Sequence, residues 1–268
     1  NLEAAYTILK AKGGKGPGLD GLTFDDLTTA ELHEMFRGVS QAIKTRTYKP
    51  HPVRHVEIPK ANGKKRLLSI PTIADRTAAK AFLICLDSFF KKLLPGVGRS
   101  THRLFAQMDK VMRERKHFVL AIDDIRDCFP SAPIDKVVEI FRGHISQPDL
   151  IWLFESIVRG QEGPERVTGL DQGSPVSPVG MELLLHSCPD AEMEFRHQGK
   201  TQLLWYVDNL TFVTGSVREG EEALRLANET LDETGFTLKG EDGEPQDIRD
   251  LVLQSHLSEK SGYCKTRS

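Results

Sequence analysis

Cysteine is scarce in this chain: four in 268 residues, at Cys85, Cys128, Cys188 and Cys264. None lies near another, which excludes a CxxC zinc half-site and a small disulfide-stapled domain. Isolated thiols of this kind fit a reducing cytoplasm, where most serve as small buried hydrophobes. Long apolar runs are missing too. No stretch approaches the roughly 20 residues that span a bilayer. Residues Asn1–Lys10 lack a basic n-region followed by an apolar h-region, so neither a secretory leader nor a membrane partner is expected. Net charge is nearly absent, at −2, but that balance hides an asymmetry. The first hundred residues carry 17 Lys+Arg against 9 Asp+Glu, and the remainder 19 against 29. A basic part that meets phosphate, joined to an acidic lobe, is one reading. The run from Lys44 to Arg66, with eight basic residues and only Glu57 as an acid, is equally compatible with a solvated loop.

What is present is an ordinary globular composition, 39% hydrophobic and 28% charged, with alternating helix and strand signals. Apolar spacing near 3.6 predicts a helix over 27–45; 71–94 reads as an amphipathic helix, 134–145 and 150–158 as helices, and 219–234 as an acidic one. Val53–Pro59 and Arg66–Ile70 alternate around Ala61-Asn62-Gly63 and read as a β-hairpin. Phe118–Ile125 reads as a buried strand. Leu203–Asp208 and Leu210–Thr214 read as strands flanking an Asp208-Asn209 tip. Phe236–Lys239 is expected to be a short edge strand and 240–250 a loop. The class is α+β.

Three blocks carry chemistry. Val119–Ile125 is an apolar strand ending in Asp123-Asp124; a strand can fix a carboxylate toward a cleft, though Asp after a strand is also a common turn starter. Tyr206-Val207-Asp208-Asn209 has the same double reading. Together they supply what two-metal phosphoryl transfer needs, carboxylates from separate strands converging on both ions. Between them lies Gly169-Leu170-Asp171-Gln172-Gly173-Ser174-Pro175-Val176-Ser177-Pro178, a pinned loop with a glycine that permits close backbone approach.

In this order the blocks resemble those of bacterial reverse transcriptases, the lineages of group II introns and retrons. Gly18-Leu19-Asp20-Gly21-Leu22-Thr23 is similar to their GxDGxT block. Ile58–Arg66 resembles IPKxxGKxR, and Ile70–Arg76 resembles IPTxxDR. QGxxxSP at 172–178 and Y-x-D at 206–208 complete a collinear series from about residue 13 to 239. The resemblance implies a polymerase right hand, with fingers over 1–117, an antiparallel, helix-packed palm over 118–250, and a tail or thumb start over 251–268, the thumb being missing or truncated. It implies an RNA-directed DNA polymerase that takes dNTPs, an RNA template and a DNA or RNA primer, with a structured non-coding RNA or an effector protein as further candidate partners. Two Mg²⁺ ions, replaceable by Mn²⁺, would be held by Asp124, Asp208 and the Ile125 carbonyl. Arg66, with Lys60 or Lys65, would grip the triphosphate, a task suited to a guanidinium fork. Phe129 would be the steric gate against a 2′-hydroxyl, and Gln172 would line the nucleotide pocket.

One position departs from the pattern. The family motif ends in two aspartates, and here the second is Asn209, which keeps an oxygen donor and loses the charge. A natural variant or an introduced substitution would each account for it. Two further functions stay open: a template-independent or protein-primed polymerase, and a catalytically silent palm that binds RNA as a scaffold.

Overall fold

The computed structural model describes residues 1–268 except 13, 15, 60–62, 64, 95–100, 187–201, 207, 233, 241–244 and 250–268. Its elements run α1 (Leu2–Lys12), α2 (Thr29–Lys44), β1 (Arg54–Pro59), β2 (Lys65–Ile70), α3 (Ile73–Cys85), α4 (Asp87–Leu93), α5 (Thr101–Arg115), β3 (Val119–Asp124), α6 (Cys128–Ser131), α7 (Ile134–His144) and α8 (Pro148–Arg159). A 3₁₀ turn (Gly160–Glu165), α9 (Ser177–Leu185), β4 (Gln202–Tyr206), β5 (Asn209–Thr214), α10 (Val217–Asp232) and β6 (Gln246–Asp247) follow. Helices packed with antiparallel sheets give the expected α+β class. Among the described residues no helix is long and apolar enough to cross a membrane.

The chain forms two compact units. One gathers Asn1–Val97 and Phe129–Leu185, the other Gly98–Cys128 and His186–Ser268.

In the first unit, β1 and β2 form the expected hairpin, with Ile58 opposite Arg66. Helix α2 begins where Thr28 and Glu31 make a reciprocal capping box, the arrangement that satisfies two orphan N–H groups at a helix start. The core is aromatic: Phe82, Phe90, Phe141 and Phe154 meet with centroids 4.1–6.5 Å apart. Buried Asp75 accepts from Tyr48 Oη at 2.9 Å, Thr72 Oγ1 at 2.7 Å and the His51 N–H at 3.0 Å. Burial, and secondarily the Asp75 charge, raises the Tyr48 pKa. Arg76, buried beside it, donates to the carbonyls of Gly14 and Gly16 at 2.9 and 3.0 Å. The arginine that closes the IPTxxDR block therefore anchors Gly14 and Gly16 near the amino end. The helix expected over 71–94 is interrupted at Leu86, which caps α3 and precedes Asp87 in the first turn of α4.

In the second unit the sheet order is β4-β5-β3-β6. Strand β3 alternates buried and half-buried residues. Leu120 and Val213 pack with Met108 and Met112 of α5, while α10 packs on β3 and β5. Helix α10 buries Ala223, Leu224, Ala227 and Leu231, the i, i+4, i+8 stripe of an amphipathic helix. Covered this way, β5 is buried at nearly every position, which accounts for its almost continuous apolar sequence. Two edge expectations fail. Leu238 makes only an isolated bridge to Ile125, and the short fourth strand is Gln246–Asp247, paired to Val119 and Leu120.

Candidate active site

The acidic centre lies in the second unit. Strands β3 and β5 pair so that Asp124 lies opposite Asn209, and directly opposed residues share a face of the sheet. The Asn209 amide donates to Asp124 Oδ1 at 2.9 Å, and Thr211 Oγ1 donates to Asn209 Oδ1 at 3.1 Å. Tyr206 pairs with Asn209, and Asp208 lies in the turn between β4 and β5. The expected Asp208-Asn209 tip is thus shifted by one: Asp208 is a turn residue and Asn209 opens β5. The Ile125 N–H donates to the Asp208 carbonyl at 2.8 Å, which fixes the turn against the end of β3.

The side chains at this end share one electrostatic environment. The buried Cys128 thiol is pushed up mainly by burial, then by the charges of Asp208 and Asp124, with Lys239 acting the other way. Both carboxylates therefore act on one buried point. Lys239 Nζ lies 2.6 Å from Asp124 Oδ2, and its backbone N–H donates to the Asp124 carbonyl at 2.9 Å. Sequence reading missed this lysine: its partner is 115 residues away and nothing in 236–239 marks it. The Ile125 carbonyl, an expected metal ligand, takes part in neither bond of the bridge beside it, which run from Arg126 N–H to Thr237 O and from Lys239 N–H to Asp124 O.

Asp123 faces away from Asp124, as strand alternation requires. It is 3% exposed, and its carboxylate accepts the N–H groups of Asp124 at 2.8 Å and Gly240 at 3.1 Å. A buried carboxylate that satisfies backbone donors is part of the framework.

The residues expected to hold nucleotide lie in the first unit. Ser69 N–H donates to the Gln172 carbonyl at 2.8 Å, and Leu170 N–H to the Phe129 carbonyl at 2.8 Å. Strand β2, the 169–173 loop and Phe129 are thereby tied together. A Cβ on Gly173, at φ +131°, would lie 2.2 Å from the Ser69 carbonyl oxygen, so the tie requires glycine. Arg166 holds the same loop through two 2.9 Å bonds to Asp171, a bidentate pair absent from the sequence reading. Gln172 Oε1 is buried without a hydrogen-bond partner, a group whose desolvation a ligand donor would offset.

Arg66 is exposed on β2. Its neighbour Lys65 pairs with Glu57. Consecutive strand residues point to opposite faces, so Arg66 and Lys65 do not present to one face of the hairpin. Lys60 lies outside the described residues.

Known proteins resemble this chain. The profile described as "Reverse transcriptase (RNA-dependent DNA polymerase)" matches residues 58–241. Identity is 27% over 223 residues with Protein YkfC of Escherichia coli (strain K12), covering 77% of this chain and 58% of that protein. It is 29% over 186 residues with Group II intron-encoded protein LtrA of Lactococcus lactis subsp. cremoris, covering 64% and 30%. A solved structure of apo telomerase from Candida tropicalis, truncated from its C-terminal domain, is similar at a TM-score of 0.48 and 15% identity, over 80% of this chain and 55% of that one. The chain thus spans less than two thirds of the length of either curated relative. The profile match covers well over half of the sequence, from the β1–β2 hairpin through Lys239, and the chain belongs to the reverse transcriptase (RNA-dependent DNA polymerase) family.

Proposed function

We propose that the chain carries the fingers and palm of an RNA-directed DNA polymerase that extends a DNA or RNA primer on an RNA template with dNTPs. The hairpin-bearing unit corresponds to fingers and the four-stranded sheet to palm. The observation that carries this reading is the β3–β5 pairing, which brings the strand-end Asp124 and the turn residue Asp208 to one end of the sheet.

The donor set suits a hard divalent ion. Asp124 and Asp208 offer carboxylate oxygens at one end of the sheet, with the uncharged amide oxygen of Asn209 beside Asp124, the hard donors that such an ion takes. Asp124 and Asp208 would hold the two Mg²⁺ or Mn²⁺ ions. Bound there, the ions would activate a 3′-hydroxyl and neutralise a leaving pyrophosphate. The protein's own groups have distinct tasks. Asn209 offers an oxygen without charge and orients Asp124 through its amide. Gln172, with its unpartnered Oε1, is suited to a nucleotide donor; Phe129 would exclude a 2′-hydroxyl, and Arg66 would meet phosphate. A structured RNA is a further candidate partner.

The test is single-turnover extension of a primer on an RNA template, in Mg²⁺ and in Mn²⁺. Asp124→Asn should abolish extension. Asn209→Asp should raise it by on the order of 10²–10³-fold, the usual worth of one such electrostatic element. No response to either change, in folded protein that still binds template, would sink the polymerase reading. It would favour an RNA-binding scaffold, the second reading, to which the uncharged Asn209 already lends support.

A further inference from the structure

We infer that Lys239 is the resident counter-cation of Asp124 and competes with divalent metal for that carboxylate. The inference rests on the metal-binding reading above and assigns a residue that the family motifs leave out.

Both oxygens of Asp124 are engaged from within the protein: Oδ1 by the Asn209 amide at 2.9 Å, Oδ2 by the Lys239 ammonium at 2.6 Å. The lysine is not a wandering surface chain. Its backbone N–H donates to the Asp124 carbonyl at 2.9 Å. Its own carbonyl accepts from the Arg126 guanidinium at 2.9 Å. The preceding residue, Leu238, bridges to Ile125 and donates to Asn228 Oδ1 at 2.9 Å. A zipped backbone therefore delivers the ammonium group to one carboxylate. The Lys239 and Asp124 side chains are each 29% exposed, enough for an ion to reach them and too little for full solvent screening.

Charge makes the competition specific. An ammonium is a compact point charge, and a divalent ion arriving at the same oxygen is repelled by it at contact distance. Asp124 and Asp208 supply two negative charges at this end of the sheet, and Lys239 cancels one. In a chain with Asn209 where the family motif ends in a second aspartate, that cancellation weakens the hold on a hard ion. Removing the lysine charge and restoring the Asn209 charge are electrostatically the same step, each making the centre more negative by one unit. They should tighten metal binding by similar factors.

The experiment is Mn²⁺ binding to the full chain without nucleotide or template, read as loss of the free-ion EPR signal. Lys239→Gln and Lys239→Met should each bind Mn²⁺ on the order of tenfold more tightly than wild type. Asn209→Asp should do the same. Lys239→Arg, which keeps the charge, should stay near wild type. If the neutral variants bind no more tightly while Asp124→Asn weakens binding, the lysine inference falls and the metal reading stands. If Asp124→Asn binds Mn²⁺ as wild type does, the metal reading itself falls and takes the inference with it. Wild-type protein gives a check that needs no variant. Mn²⁺ should increase acylation of Lys239 by an amine reagent, read by mass spectrometry, and labelling that is indifferent to Mn²⁺ would overturn the competition.

Discussion

Replacing Gly173 by alanine tests the junction between β2 and the 169–173 loop. The added Cβ would sit 2.2 Å from the Ser69 carbonyl oxygen and 3.3 Å from its carbon. Ordinary van der Waals contact would need the strand and loop to separate by about an ångström. Overpacking of that kind costs about 1–3 kcal/mol. The separation also breaks the Ser69–Gln172 bond, worth about 1 kcal/mol, and a side chain at φ +131° adds roughly 1–3 kcal/mol of backbone strain. Taking the low ends, Gly173→Ala should destabilise the unit by about 3 kcal/mol, or roughly 6–12 °C in Tm at this chain length. Gly21 is the control. Its φ is +75° and nothing lies within 4 Å of its Cβ, so Gly21→Ala carries strain alone and should cost only about 1–2 kcal/mol. Scanning calorimetry of both variants measures the difference. Equal melting temperatures for the two would refute the argument that contact with Ser69, rather than backbone angle, demands glycine.

Two further outcomes are expected. Tyr48 has a raised pKa, so its stabilising contribution is complete below the unfolded tyrosine value of about 10 and declines as pH climbs toward the folded value; wild type should lose stability in that alkaline window, and Tyr48→Phe should flatten the decline while lowering neutral-pH stability by about 1–2 kcal/mol, read from denaturant melts at stepped pH. Asp123→Ala should lower stability by about 1–3 kcal/mol, because it strands the Gly240 N–H, and should weaken Mn²⁺ binding less than Asp124→Asn does; a loss in folded Asp123→Ala as large as that of Asp124→Asn would mean that this carboxylate serves the metal directly.

Much of the fold was legible because its elements carry strong local patterns. The β1–β2 hairpin follows from alternation around Ala61-Asn62-Gly63, and its bounds differ from expectation by one residue at each strand's outer or inner end. The pairing of the two acidic strands could be anticipated because an apolar run ending in acid occurs twice. Helix α5 was not anticipated, although Leu104, Met108, Val111 and Met112 have helical spacing. Its surface is crowded with charge, and only packing beneath the sheet makes the stripe decisive. The fourth strand was unreadable for a different reason. Gln246 and Asp247 have no strand pattern, and pairing with β3 alone makes them one. At the site, Asp124 and Asp208 were visible as residue types. Lys239 and the Arg166–Asp171 pair were not, since neither an ammonium group nor a guanidinium announces its partner.

The order in which the chain visits its two units has a practical consequence for dissecting the protein. It enters the first, leaves at 97, returns at 129 and departs again at 185. No single cut therefore yields either unit alone. Truncation after 185 keeps β3 and removes β4 and β5, so the strand bearing Asp124 loses the partner that satisfies its backbone. A fragment beginning at 186 has the hairpin but not the strand it pairs with. Isolating the sheet would require joining 98–128 to 186–249 through a designed linker. Deletion maps of this protein should accordingly be asymmetric: trimming the carboxyl end past β5 destroys the acidic centre, whereas removing 1–97 leaves both of its segments on the chain.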